Sequence, residues 1–148
     1  MWTFKDSIAR CLKLESDDQV VLGRAALLPS ADRDLIVAVW TYRTPVRILA
    51  DMAGVTPASI RARVRGLIRR LHSRHFLSAA RVLHRLNDPQ AVVARLHLLG
   101  GHSLRATAEA AGLHYHRVRR LVSEVQGIID AHAGDRPAAP AAKRALGA

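Results

Sequence analysis

Apolar positions along this chain fall at helical spacings, and no stretch alternates with the period of two that marks a half-buried strand. The pattern predicts helices over 4–14 and 18–28, with Ile8, Leu12, Val21, Ala25 and Leu28 inward. Leu28-Pro29-Ser30 closes the second of these and caps a third over 31–41, where Leu35, Ile36, Val39 and Trp40 face the core. Further helices are predicted over 45–53 and from 57 to about 80, since no breaker precedes Asn87-Asp88-Pro89. That triplet opens a second series over 89–99, 103–111 and 115–131. From Gly134 onward the chain is Ala, Pro and basic residues, too poor in large apolar groups to order itself. The expected fold is all-α.

The pattern repeats. Residues 44–71 and 102–129, offset by 58, match at Arg47/Arg105, Ala50/Ala108, Ala53/Ala111, Gly54/Gly112 and Arg61/Arg119. Apolar Val46, Val55, Ile60 and Val64 correspond to Leu104, Leu113, Val118 and Val122. An internal repeat fixes the unit of architecture, and this unit reads as a helix-turn-helix. Ala50 and Ala108 let two helices approach closely, and Gly54 and Gly112 supply a turn of positive φ. Val55 and Leu113 are expected to plug the inside of each corner. Thr56 and Pro57 give the second helix of copy one an N-cap and a first residue that needs no N–H. Inward stripes follow: Ile60, Val64, Leu67 and Leu71 in copy one, Val118, Val122, Val125 and Ile129 in copy two. The preceding helix repeats too, with Leu28/Leu86, Ser30/Asp88 and Leu35/Val93. The chain thus divides into an N-terminal helical segment (1–27), a first unit (28–85), a second (86–133) and a disordered tail (134–148): tandem three-helix helix-turn-helix units preceded by two short helices.

The face opposite each stripe is basic. At about 100° per residue the first presents Ala58, Ser59, Ala62, Arg65, Gly66 and Arg69, flanked by Arg61, Arg63 and Arg70. The second presents His116, Arg117, Arg119, Arg120 and Ser123. The plain reading of such a face is a solvated helix surface. The repetition of basic character on the side the motif predicts favours DNA contact instead, with Ser59, Arg61, Ala62, Arg63, Arg65, Arg69, Arg70, His116, Arg117, Arg119 and Arg120 as the contact residues.

Composition sharpens this. The chain carries 23 Lys and Arg against 12 Asp and Glu, a formal net charge of +11, and most of the cations are arginine, whose planar fork suits phosphate and guanine. From Met52 to Asn87 there are arginines and no acid. A polyanion is the partner such a field implies. An anionic membrane fits less well, because no helix has the aromatic, leucine-heavy face of an interfacial anchor. No apolar run approaches a membrane span of about 20 residues, no signal-peptide pattern opens the chain, and Cys11 is the only cysteine. A cytoplasmic protein of a bacterium or phage is expected.

The first unit resembles region 4 of the sigma-70 family, the helix-turn-helix that recognises the promoter −35 element. The residues that carry this are Leu28-Pro29, Asp32-Arg33, Leu35, Trp40, Ile48-Leu49-Ala50, Gly54-Val55-Thr56, Ile60-Arg61, Arg63 and Leu71. The second unit looks like a more diverged copy. The resemblance implies base contacts from Ser59, Arg61, Ala62, Arg63 and Arg65. Where the family has Glu, this chain has Arg47, and no segment resembles the aromatic-rich region that opens the −10 element. A stand-alone transcriptional regulator binding double-stranded DNA is therefore expected, rather than a complete sigma factor.

Other chemistry is thin. His72 and His75 stand three apart on one helix, but no third ligand is near in sequence, so no metal and no cofactor are expected. No acidic pair suggests acid/base catalysis, no Gly-rich phosphate loop is present, and Gly100-Gly101 reads as a helix break. No enzyme is expected. Two other readings remain: a helical adaptor holding RNA polymerase or another protein, and the DNA-end-binding subunit of a transposase or phage packaging system. A monomer spanning two half-sites and a homodimer both fit two units in one chain. Copy two has His114 and Tyr115 in place of Thr56 and Pro57, and adds Glu124, so the first unit is expected to supply most of the affinity.

Overall fold

The computed structural model describes residues 4–11 and 18–135, and every regular element among them is helical. Helices α1 (Phe4–Cys11), α2 (Asp18–Ala25) and α3 (Ser30–Trp40) lead into α4 (Val46–Ala53) and α5 (Pro57–Leu71). Helix α6 (Arg74–Val82) follows, then a single 3₁₀ turn at Leu83–Arg85. Helix α7 (Asp88–Val93) runs on without a gap into a π-helical turn, Ala94–Leu99, and α8 (Leu104–Ala111) and α9 (Tyr115–Gly134) complete the chain. Leu12, the expected continuation of α1 to residue 14, and the tail beyond Asp135 lie outside the described residues.

The main core gathers Ile8, Val21, Ala25 and Leu28 with Ile36, Val39 and Trp40 of α3, the inward stripe of α5, and Phe76 and Ala79 of α6. The stripe Ile60, Val64, Leu67 and Leu71 is buried as its spacing requires, together with Ile68. A smaller cluster, Val93, Ala108, Val118 and Leu121, holds the second series of helices. Leu121 was not foreseen in that stripe, whereas Val122 and Ile129 are only half-buried. Lys5 ties the N-terminal helices down: it pairs with Asp18 of α2 and lies 5.8 Å over the Trp40 ring. Arg24 of α2 donates to the terminal carbonyl of α5 at Leu71 (3.0 Å), where a cation meets the negative end of the helix.

Several boundaries differ from expectation. Pro29, not Ser30, occupies the N-cap of α3, with no side-chain cap. Asn87 caps α7 through a reciprocal capping box with Gln90, as the Asn-Asp-Pro triplet suggested. The largest correction is in the helix expected to run from 57 to about 80, which breaks at His72–Ser73. Phe76 lies five residues, about 140° of helical rotation, past Leu71, so an unbroken helix would turn it away from the core stripe. Bending buries Phe76 completely. Side chains satisfy the freed backbone groups. Ser73 Oγ accepts from Phe76 N–H (3.1 Å) and donates to the Arg70 carbonyl (2.8 Å), and His72 Nδ1 donates to the Ile68 carbonyl (2.9 Å). Helix α6 then packs against both the π-helical turn and α9, so it braces one series of helices against the other.

Candidate nucleic-acid interface

The two corners are built alike. Helix α4 ends at Gly54 with φ 66° and ψ 30°, and α8 ends at Gly112 with φ 65° and ψ 32°. Val55 N–H reaches back to the Ala50 carbonyl and Leu113 N–H to the Ala108 carbonyl, both at 3.0 Å. A Cβ on either glycine would meet nothing within 4 Å. Backbone conformation, rather than space, therefore demands glycine there. Ala50 and Ala108 are buried at the close approach of each helix pair.

Of the two expected corner plugs, only Val55 departs from expectation. Val55 is 47% exposed and fills no corner, whereas Leu113 is half-buried against the smaller cluster. Ile48 and Met52, spaced i and i+4, form an exposed apolar stripe along α4, with Val55 exposed beyond the Gly54 turn and Tyr42 exposed before the helix. The stripe was legible in the sequence as a second apolar line beside Val46 and Ala50.

The helix after each corner differs at its start. Thr56 Oγ1 accepts from Ser59 N–H (3.2 Å) and shares a hydrogen bond with Ser59 Oγ (2.9 Å). His114 stands at the same place in copy two and makes no side-chain cap. Beyond the cap, Ser59, Arg61, Ala62, Arg65 and Arg69 of α5 are exposed, and the three arginines make no ion pair or hydrogen bond among the described residues. On α9, His116, Arg117, Arg119 and Arg120 are exposed. The Tyr115 and His116 rings meet edge to face at 5.8 Å. Glu124 accepts from Gln90 of α7 (3.1 Å).

Arg63 and Arg70 have partners inside the fold. Arg63 directs Nε (3.1 Å) and Nη2 (2.6 Å) to Oδ1 of Asp32, a buried carboxylate of α3. His102 Nε2 lies 3.4 Å from the other oxygen of Asp32, so one carboxylate joins α3, α5 and the loop before α8. Arg70 donates to the carbonyls of His97, Leu98 and Leu99, each at 3.0 Å. Its guanidinium lies flat on Gly101, where a Cβ would come within 2.8 Å of Cζ. Burial, and then the nearby charge of Arg63, hold the Arg70 pKa below its ordinary value. A guanidinium nonetheless keeps its proton in a protein.

Among the described residues no group of three or more His, Cys, Asp or Glu could hold a metal ion, and no helix is long and apolar enough to cross a membrane. Comparison with protein-family models, curated proteins and solved structures finds no match for the chain.

Proposed function

We propose that this chain is a sequence-specific regulator of transcription that binds double-stranded DNA, with α5 as its main recognition helix in the major groove and α9 as an auxiliary one. One observation carries the reading. Two corners with the same glycine geometry are each followed by a helix whose outer face carries exposed arginines. Ser59, Arg61, Ala62 and Arg65 suit base contact, since small residues beside the arginines let the helix sink into the groove. Arg69, Arg117, Arg119 and Arg120 suit phosphates, with His116 beside them. Arg63 and Arg70 leave the contact set, because their guanidiniums hold the fold together. The sigma-region-4 resemblance and a cytoplasmic place in a bacterial or phage system belong to the same proposal.

The test is a duplex titration at several salt concentrations. Neutralising about six phosphates gives a slope of log K against log salt near −5. No binding at low salt, or a flat slope, overturns the reading.

The exposed stripe of Ile48 and Met52, with Val55 beyond the turn, favours a second reading, an adaptor that holds RNA polymerase or another protein. Ile48→Asp with Met52→Asp leaves duplex affinity within about twofold if the stripe serves a protein partner. A larger loss assigns α4 to DNA.

A further inference from the structure

The two series of helices enclose an open cleft of about 610 Å³, within the roughly 300–1,000 Å³ range of small-ligand sites and too small for a duplex. No acidic residue lines it. We propose that this cleft binds a small organic phosphate, with its anionic head on Arg69 and the neighbouring imidazoles and its apolar part on Leu98 and Ile129.

The donors are free where the ligand would sit. Arg69 and His75, from α5 and α6, line the cleft and make no hydrogen bond or ion pair among the described residues. The Ser103 hydroxyl accepts from Ala106 N–H (3.1 Å) and keeps its own proton to give. These groups come from three different elements, an arrangement that fits an anion with several acceptor oxygens better than a flat carboxylate. Arg70 forms one wall; its Nε and Nη2 N–H groups are spent on carbonyls, and only Nη1 has donors left among the described residues. Leu98 and Ile129 are half-buried and supply the apolar floor.

Two histidines in the cleft lining each have one ring nitrogen left over. His97 Nδ1 lies 2.7 Å from the His102 carbonyl, so Nδ1 carries hydrogen and Nε2 is bare when the ring is neutral. His102 Nε2 faces Asp32, which leaves its Nδ1 bare. Protonation turns each bare nitrogen into a donor.

This site shares Arg69 with the proposed DNA face but does not rest on that reading, and it is tested without duplex. Calorimetric titration of the full chain with adenosine monophosphate, inorganic phosphate and adenosine separates head from body. The nucleotide is expected to bind more tightly than phosphate, and adenosine not at all. Arg69→Gln and His75→Ala are expected to weaken the nucleotide about tenfold each, as one charge-assisted hydrogen bond allows. Arg81→Gln, an equal charge loss at an exposed position outside the cleft, leaves it within about twofold. No heat with the nucleotide at millimolar concentration, equal binding of adenosine, or equal losses in all three variants overturns the proposal.

Discussion

Arg70→Met separates the two roles that this cation could play. The substitution keeps the apolar stem and removes the three hydrogen bonds. The carbonyl of His97 retains a second donor, Gly101 N–H at 3.2 Å, but those of Leu98 and Leu99 have no other partner among the described residues. Hydrogen bonds to a charged group contribute about 1.5–3 kcal/mol each. Arg70 is only half-buried and water can partly replace it, so the expected loss is about 2–4 kcal/mol. For a chain of this length each kcal/mol moves the melting temperature by about 3 °C, which gives a drop of about 6–12 °C in thermal denaturation followed by circular dichroism. Arg69→Met, one position away on the exposed face, should change stability by less than about 0.5 kcal/mol. Suppose Arg70→Met melts within about 2 °C of the parent and loses duplex affinity instead. The clasp on the π-helical turn would then be energetically empty, and Arg70 would be a phosphate ligand.

Two further outcomes are expected. Arg61→Glu with Arg65→Glu should abolish duplex binding, whereas Arg119→Glu with Arg120→Glu should leave a shorter footprint at reduced affinity; the reverse order would make α9 the main reader. Gly54→Ala and Gly112→Ala should each cost about 1–2 kcal/mol in urea unfolding, the strain of a left-handed alanine, and should agree within about 0.5 kcal/mol because neither Cβ meets a neighbour.

What the sequence made legible was local. Gly54 and Gly112 have φ within a degree of each other because each turn is decided by the residues immediately around it. The Thr56 cap and the Asn87 capping box were readable for the same reason. What escaped depends on distance along the chain. Asp32 lies 31 residues before Arg63, and the carbonyls that hold Arg70 lie 27–29 residues after it. A helical wheel therefore shows both arginines as surface cations. The break at His72–Ser73 escaped because neither Gly nor Pro marks it; only the 140° displacement of Phe76 from the stripe gave a sign. Val55 was misjudged because an apolar residue beside a turn has two sides to choose from, and periodicity does not say which one is dry.

The kink at His72–Ser73 gives the first series of helices something that the second lacks. In the first copy, Ser73 ends one helix and caps the next, and Phe76 anchors the returning α6, which becomes the platform for the following unit. The residues 58 positions later are Ala131 and Gly134, which offer neither a cap nor an anchor, and α9 runs through Ala131 to end at Gly134. The second copy thus presents no platform among the described residues. A stacking repeat needs each unit to hand its successor a surface, and here that property rests on one hydroxyl and one aromatic ring.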